Sequence, residues 1–533
     1  MDREIDADSK KMDSEKDIGN RNTYSEKDIG NRNMYREKDI NSKKFNNVIS
    51  ADSGYEAVIG IETHIELSTA TKMFCGCRLS FGDEPNSNTC PVCLGHPGSL
   101  PVINRRAIEF AIKVALALNC TINSRTIFHR KNYFYPDMPK NYQISQYDLP
   151  IGIGGWLDVD MGDYVRRVGI TRVHIEEDTG KLIHTGTTGR ISESDSSIVD
   201  FNRAGTPLVE IVTEPDIRTP AEAKEYMINL RNLVLCLDVS DCSMEEGSLR
   251  CDANASVRPL GGLALGTKTE IKNLNSFKFL LRGLEYEIAR QGEVLASGGK
   301  VIQQTRHYDN ISDTTKPLRS KEEAHDYRYF PDPDLVPILI DETQIKAIRS
   351  EIPELPAEKF KKYTEVMGLP AYDSRFLSSD RKIAQYFEKC VALYNNPKTI
   401  SNWLMGDFSA FLNKETESIE ESSIAPESLV KLIALVDEGK ISSKIAKPVF
   451  EEMFYKGGDP EAIIKDKGLQ QISDEGQIEA VVAKVIADNP GVVEQLKGGK
   501  VNAIGFLVGQ VMALTKGKAN PKLVNELLLK LIK

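Results

Sequence analysis

A change in hydrophobic periodicity near residue 350 constrains the fold of this chain more than any other feature. From Tyr55 to about Ile340 apolar and polar residues mostly alternate, with helical stretches such as Arg105 to Leu118 between them. This alternation is typical of strands with one buried face. After Pro353 apolar residues recur every three or four positions, which is the spacing of amphipathic helices. The chain is therefore predicted to have an α+β fold, with an antiparallel sheet domain followed by all-helical domains.

The length of the chain requires several domains. At 533 residues it exceeds one ordinary hydrophobic core, because domains usually stop growing near ~250 residues. The first fifty residues repeat EKDIGNRN at 15–22 and 26–33. Each eleven-residue unit has only one Ile, so the repeat has too few apolar side chains to form a buried core. We predict a disordered repeat tail at 1–50, a sheet domain at 51–350, a helical linker domain at 351–424 and a helical tail domain at 425–533.

Three segments with strand periodicity gather charged side chains on one face. In GIETHIEL (60–67), SLRCDANASV (248–257) and KTEIKN (268–273), alternation gives polar faces that hold Glu62, His64, Glu66, Arg250, Asp252, Asn254, Lys268, Glu270 and Lys272. In a fourth segment, PLVEIVTE (207–214), Glu210 interrupts an apolar run. For any one of these strands, an antiparallel sheet with one solvent-exposed face would also explain the polar side chains. Carboxylates with a His suit Mg²⁺ and Arg and Lys suit phosphate, so together they indicate a nucleotide phosphoryl-transfer site.

The segment VHIEEDTGK (173–181) adds a second acidic cluster. Strict alternation places His174, Glu176 and Asp178 on one face and Glu177 on the other. The turn signal in Asp178, Thr179 and Gly180 is also compatible with a strand that ends by Glu177, so this assignment of faces stays open.

Four cysteines have the spacing of a metal site. Cys75 and Cys77 are followed, after twelve residues, by Cys90 and Cys93. Four thiolates at this spacing predict a closed, structural Zn²⁺ site, with buried free thiols as the alternative. Nine cysteines in a chain of this size do not form a disulfide scaffold, and no apolar signal segment is visible in residues 1–50. A reducing, cytoplasmic setting is therefore expected.

The charge distribution bears on possible partners. The net charge of -10 argues, taken alone, against a nucleic-acid partner, since Lys and Arg hold phosphates. The C-terminal end differs, with seven lysines from Lys497 to Lys533 against one acid, Glu526. RNA contact and a solvated helix face explain this end equally well. No window approaches the ~18 consecutive apolar residues of a membrane span, and neither a membrane nor DNA is expected as a partner.

Long blocks of the sequence resemble one protein family. GIETHIEL, FGDEPNSNTCPVCLGHPGSLPVIN, RKNYFYPDMPKNYQISQYDLPIG, HIEEDTGK, DFNRAGTPLVEIVTEPDIR, MEEGSLRCDAN, EIKNLNSFKF and DYRYFPDPDLVP are similar, in order, to blocks of the B-subunit family of aspartyl/glutamyl-tRNA(Asn/Gln) amidotransferases. The resemblance covers residues 53–533. It implies a glutamine-synthetase-like sheet cradle and a helical, tRNA-binding tail domain.

The resemblance also implies an activity and partners. With ATP and Mg²⁺, a protein of this family phosphorylates the side-chain carboxylate of Glu-tRNA(Gln) or Asp-tRNA(Asn). Ammonia from a partner amidase (glutaminase), the A-subunit, then completes the amidation, and a small C-subunit belongs to the complex. Consistent with this division, the sequence contains no Ser-Ser-Lys amidase constellation and no Cys-His glutaminase pattern.

Carried over by block, the resemblance gives Glu62, His64 and Glu177 as magnesium and phosphoryl-transfer residues. Here the family favours Glu177 where alternation favours Glu176. Glu210, Arg250 and Asp252 are further catalytic candidates. The residues expected to bind the nucleotide are Glu246, Lys268, Glu270 and Lys272. The four cysteines are a variable family feature, and all four are present in this chain, so Zn²⁺ is expected.

Three alternative functions fit parts of the sequence. A sister family acts on Glu-tRNA(Gln) only and carries an inserted domain. Only about 45 residues separate Pro337 from the helical pattern after Asp380, fewer than the ~50 of the smallest domains. A non-catalytic, zinc-containing RNA-binding protein would not need the carboxylate and His cluster. A small-molecule amide ligase of the glutamine-synthetase type would not need a basic helical tail.

Overall fold

The computed structural model describes residues 54–185, 196–320, 327–415, 418–469, 475–497, 503–515 and 519–532. The predicted repeat tail at 1–50 lies outside these residues. The strands are β1 (Tyr55–Glu66), β2 (Thr121–Ile122), β3 (Arg125–Thr126), β4 (His129–Asn132), β5 (Tyr142–Ser145), β6 (Gly152–Asp160), β7 (Val165–Glu177), β8 (Lys181–Thr185), β9 (Ser196–Asp200), β10 (Pro207–Thr213), β11 (Leu249–Pro259), β12 (Thr269–Lys272), β13 (Gln304–Asp309), β14 (Thr314–Ser320), β15 (Phe330–Pro331) and β16 (Ile338–Leu339).

The helices follow the same numbering along the chain. They are α1 (Arg105–Ala117), α2 (Pro220–Leu237), α3 (Phe277–Ala296), α4 (Glu342–Ser350), α5 (Pro356–Lys361), α6 (Ala371–Ser379), α7 (Arg381–Leu393), α8 (Pro397–Trp403), α9 (Ser409–Glu415), α10 (Pro426–Asp437), α11 (Ser443–Lys456), α12 (Pro460–Asp466), α13 (Glu475–Asp488), α14 (Pro490–Lys497), α15 (Ile504–Leu514) and α16 (Pro521–Ile532). Five-residue π-helical turns extend α5 and α8. No helix among these described residues is both long and apolar enough to cross a membrane.

A large sheet dominates the first half of the chain. Its strand order is β14-β13-β12-β11-β1-β10-β7-β6-β2, and all neighbours are antiparallel except β12 and β13. The prediction of an α+β fold with an antiparallel sheet ahead of helices is thereby confirmed. A smaller sheet of order β15-β4-β5 is joined to the end of β7 by hydrogen bonds from β5.

One face of the large sheet packs against α1, α2 and α3. On β1 this face presents Ile59, Ile61 and Ile65, which are fully buried in a core shared with the three helices. Burying a side chain of this size contributes about 1.5–3 kcal/mol. Because strand residues alternate, the intervening residues of β1 lie on the opposite face, which these helices leave open.

Helix α2 begins with a capping box. The Thr219 side chain accepts a hydrogen bond from the Glu222 backbone, Glu222 reaches back to the Thr219 amide, and Pro220 occupies the first turn. Glu222 also accepts hydrogen bonds from Tyr164 and Arg166, so the same carboxylate ties the helix start to β7 and the turn before it.

The helical half has two separate cores. Helices α5 to α12 share one core, in which Phe387 and Phe408 lie with Leu429 and Ile433. Helices α13 to α16 form the other. Within the described residues, the apolar face of α10 packs against α7 and belongs to the first of these cores, and the division at residue 425 stays a prediction.

Candidate active site

The open face of the sheet places charged residues of four strands in one row. His174 on β7 is opposite Glu210 on β10, Glu210 is opposite His64 on β1, and His64 is opposite Arg250 on β11. Neighbouring strands lie about 4.8 Å apart, so side chains paired in this way are in contact. The row forms because alternate residues of each strand point to the same face of the sheet, and because the strands pair in a register that places these residues opposite one another.

Three side chains of this region converge strongly enough to hold a cation. His64 Nε2 lies 3.7 Å from Glu176 Oε1 and 3.4 Å from Glu210 Oε2. Ligand atoms of the three residues all lie within 4.8 Å of one another, and both carboxylates are buried. Burial alone would raise the pKa of Glu210, but His174 and His64 bring that pKa well below its ordinary value. A pair of carboxylates with an imidazole fits a divalent cation.

A second acidic group lies beside this cluster. Glu62 is opposite Asp252 on β11, and Asn254 donates a hydrogen bond to Glu62 at 3.3 Å. Lys272 binds Asp252 and Glu270. The pKa of Glu62 is raised, first by burial and then by repulsion from carboxylates that include Glu210, Glu270 and Asp252. A bound cation would relieve this repulsion.

Arg250 supplies positive charge at the end of the row. Its guanidinium binds Asp178 and lies 4.0 Å from Glu66, while Arg203 approaches Asp178 at 3.6 Å. Burial, followed by the Asp178 carboxylate, raises the pKa of Glu66 to about 8. The Arg250 Nε atom is buried and has no hydrogen-bond partner among the residues that the structure describes.

Several of these groups line one cleft of about 390 Å³. Its floor is the open face of the sheet, including His64, Glu176, Arg250 and Asp252, and its wall includes Lys131 and Gln143 from the small sheet. Beside this wall, Tyr147 and Tyr329 stack with ring centroids 4.5 Å apart. The cleft combines a cation site with several basic groups, the combination that phosphoryl transfer needs.

The four predicted cysteines also come together. Thiols of Cys75, Cys77, Cys90 and Cys93 lie within 4.8 Å of one another. Hydrogen bonds from Cys75 and from the Cys90 backbone, with the charge of Lys72, lower the pKa of Cys93 to about 4 against the effect of burial. The Lys72 ammonium is fully buried, 3.6 Å from Cys93 Sγ and 3.1 Å from the Phe201 carbonyl oxygen. This cluster is compatible with a tetrahedral metal ion such as Zn²⁺.

Comparison with known proteins identifies the family. Residues 57–346 match the model of the GatB/GatE catalytic domain, and residues 385–532 match that of the GatB domain. Relatives include the aspartyl/glutamyl-tRNA(Asn/Gln) amidotransferase B-subunits of Caldanaerobacter subterraneus (54% identical), Carboxydothermus hydrogenoformans (55%) and Moorella thermoacetica (55%). Each match spans 474 residues, which is 89% of this chain and 98 to 99% of the relative. This chain belongs to the amidotransferase B-subunit family.

Membership in the B-subunit family confirms the resemblance, and the geometry shows which predicted residues meet. The cleft region contains seven of them, namely Glu62, His64, Glu210, Arg250, Asp252, Glu270 and Lys272. Two others lie apart from it. Lys268 is exposed and precedes β12, and Glu246 is exposed in the turn before β11.

The two adjacent glutamates of β7 have different surroundings. Glu176 is in the cluster with His64 and Glu210 and accepts a hydrogen bond from Ser145 at 3.2 Å. Glu177 binds Lys140 and accepts a hydrogen bond from the Ile144 amide at 2.9 Å. The strand continues through Glu177, so alternation holds to its end and separates the two carboxylates. In this member of the B-subunit family, Glu176 and not Glu177 lies beside His64.

One cleft residue, Lys131, and one buried neighbour of the cluster, His174, were absent from the sequence-based site. His174 contacts Glu210 at 3.3 Å, and alternation in VHIEEDTGK already placed it on the charged face. Lys131 lies on β4, in a segment recognisable only by its mixture of basic and aromatic residues. No local signal gives the position of Lys131, because β4 belongs to a different sheet.

Proposed function

We propose that this chain is the ATP-using, tRNA-binding subunit of a tRNA-dependent amidotransferase. Its substrate would be glutamate on tRNA(Gln), aspartate on tRNA(Asn), or both. The names of its relatives, which give the aspartyl/glutamyl-tRNA(Asn/Gln) amidotransferase, support the tRNA substrate. The observation that carries the proposal is the convergence of His64, Glu176 and Glu210 beside a cleft that His64, Glu176 and Arg250 line.

Phosphorylation makes amidation of the carboxylate possible, because an unmodified carboxylate oxygen is a poor leaving group. When that oxygen attacks the γ-phosphorus of ATP, the bond to ADP breaks, a bond to the carboxylate forms, and ADP leaves with the electron pair. Ammonia then attacks the carbon of the acyl phosphate, phosphate leaves with the C–O electron pair, and the nitrogen loses one proton.

The residues of the cleft have matching tasks in this proposal. His64, Glu176 and Glu210 would hold Mg²⁺, with Glu62 beside them. Bound Mg²⁺ would neutralise charge on the nucleotide phosphates. The Arg250 guanidinium would bind a phosphate or carboxylate oxygen, and Lys272 would keep Asp252 and Glu270 in place. A sheet that cradles its nucleotide in this way corresponds to the glutamine-synthetase-like description.

Ammonia would come from a partner. We propose an amidase A-subunit as its source and a small C-subunit as the third member of the complex, because the relatives are named as B-subunits, which describes one part of an assembly. The cytoplasmic setting expected from the cysteines stays a prediction.

Phosphate release tests this function. The complex of this chain with its amidase partner is expected to release phosphate from ATP only when Glu-tRNA(Gln) or Asp-tRNA(Asn) is added. Uncharged tRNA is the control. If ATP remains intact with every misacylated tRNA tried, the catalytic assignment fails, and the alternative of a non-catalytic, zinc-containing RNA-binding protein takes its place.

The last helices are the part proposed to contact tRNA. They contribute the lysine-rich end of the chain and have a core of their own. In direct binding measurements, a chain ending at Leu469 is expected to bind tRNA more weakly while ATP binding is kept. The cut is placed there because removing α10 to α12 would open the core that they share with α7. Equal loss of both kinds of binding would contradict this role.

We further propose that the four-cysteine cluster holds structural Zn²⁺. Purified chain is expected to contain one zinc per molecule, and Cys93→Ser to contain none, since the remaining three thiolates no longer close a tetrahedral site. The control is Cys390→Ser, because Cys390 is buried in the helical core away from the cluster. Metal analysis of the two variants is the measurement, and equal zinc in both would contradict the assignment.

A further inference from the structure

Most basic groups around the cleft already have an acidic partner. Arg250 binds Asp178, Lys272 binds Asp252 and Glu270, and Lys140 binds Glu177. Arg172 lies 3.7 Å from Glu210. A cation that is held by a carboxylate must give up that contact, or share it, before it can bind a phosphate.

Lys131 is different. It lines the cleft, and among the described residues its ammonium forms neither a hydrogen bond nor an ion pair. The ammonium lies over the face of the Tyr327 ring, 5.1 Å from the ring centroid, and this face attracts a cation without neutralising it. Burial alone would lower the pKa of Lys131, but Glu176, Tyr329 and Glu210 raise it above its ordinary value, so the side chain keeps its charge.

The backbone around Lys131 is fixed on both sides. Lys131 pairs with Gln143 of β5, and the neighbouring Arg130 pairs with Phe330 of β15. The small sheet is in turn joined to the floor of the cleft, since Ser145 donates a hydrogen bond to Glu176. A cation on a central strand that is tied to the cluster has a defined position relative to it.

We propose that Lys131 binds the γ-phosphate of ATP and stabilises the charge on the phosphoryl group during its transfer. This role rests on the proposed function. The cluster of His64, Glu176 and Glu210 lies on one side of the transferred phosphoryl group, at the floor of the cleft. The Lys131 ammonium lies on the other side, at the wall of the cleft. The bond to ADP breaks and the bond to the carboxylate forms without a proton passing through Lys131, whose part is electrostatic.

The test compares Lys131→Met, Lys131→Arg and Lys346→Met in the complex with its amidase partner. Methionine keeps most of the apolar stem and removes the charge, and Lys346 is an exposed lysine on α4. With Lys131→Met, kcat/KM for ATP in tRNA-dependent phosphate release is expected to fall on the order of 10²-fold, as when one preorganised donor is removed. Lys131→Arg is expected to regain part of the loss, and Lys346→Met to match wild type.

Binding measurements separate the possible outcomes. The Kd for tRNA is expected to be unchanged in Lys131→Met, and thermal unfolding to confirm that both Lys131 variants are folded. If kcat/KM for ATP stays within about threefold of wild type, the role is wrong while the proposed function stands. If tRNA binding weakens instead, Lys131 holds the tRNA and the assignment to ATP is overturned. If wild type itself releases no phosphate, the proposed function fails before this role is reached.

Discussion

Glu176→Gln is expected to lower tRNA-dependent phosphate release on the order of 10³-fold, with little change in folding stability. Glutamine has the shape of glutamate but removes one of two carboxylates that converge with His64. The loss should be seen in kcat at saturating ATP and tRNA, because the missing charge acts on the group in transfer. Single-turnover phosphate release by the complex is the measurement.

The neighbouring variant Glu177→Gln is the matched control. Glu177 and Lys140 form a buried ion pair, and losing one partner leaves the other charge uncompensated, at a cost of about 3–5 kcal/mol. Glu177→Gln should therefore lower the unfolding temperature and retain activity per folded molecule. Adding Lys140→Met should recover part of the stability, since the unpaired charge is then gone. A stable but inactive Glu177→Gln with an active Glu176→Gln would support the residue chosen from the family resemblance instead.

The charged face could be predicted from sequence because alternation is a local property. It gave Glu62, His64, Arg250, Asp252, Glu270 and Lys272 correctly as residues of one face. It also separated Glu176 from Glu177, although the turn signal in Asp178, Thr179 and Gly180 left that choice open. The same reasoning extended the β12 pattern one residue too far, to Lys268, because alternation does not mark where a strand begins.

The contacts between strands could not be predicted in the same way. His174 meets Glu210 only because β7 pairs with β10, and these strands are separated in sequence by the β8–β9 hairpin. Lys131 reaches the cleft because a second sheet stands beside the first. Such neighbours depend on the pairing order of strands, which the hydrophobic pattern of a single strand does not contain.

The packing of the helices shows a similar limit. Leu429 and Ile433 of α10 share a core with Phe387 and Phe408. Periodicity locates the apolar face of each helix, but it does not say which other helix covers that face.

The largest expected loss of stability away from the cleft comes from Glu287→Gln on α3. Glu287 is fully buried and is bound by Arg290 at 2.6 Å, Thr315 at 2.8 Å and Gln291 at 3.0 Å, with Arg306 at 3.3 Å. Without the carboxylate, two guanidinium groups lose their counter-charge beneath the sheet. The free energy of unfolding is expected to fall by about 3 kcal/mol, the lower end for a broken buried pair, because Arg290 is partly exposed.

Fluorescence can isolate this effect to the sheet domain. The chain has two tryptophans, Trp156 on β6 and Trp403 on α8, so a Trp403→Phe background leaves Trp156 to report denaturant unfolding of the sheet. Lys278→Gln, at an exposed position of the same helix, is the control and should change stability by less than about 0.5 kcal/mol.

The pH dependence gives a second readout of the same carboxylate. Burial would raise the pKa of Glu287, but Arg290, Gln291 and Thr315 bring it below the ordinary value of 4.5. A lowered pKa in the folded state contributes stability that is present above the ordinary pKa and is lost as pH falls through the folded one. The difference in unfolding free energy between wild type and Glu287→Gln should therefore be full at neutral pH and shrink on acidification below about 4.5. A difference that stays constant with pH, or is absent at neutral pH, would show that the carboxylate charge does not stabilise this part of the sheet domain.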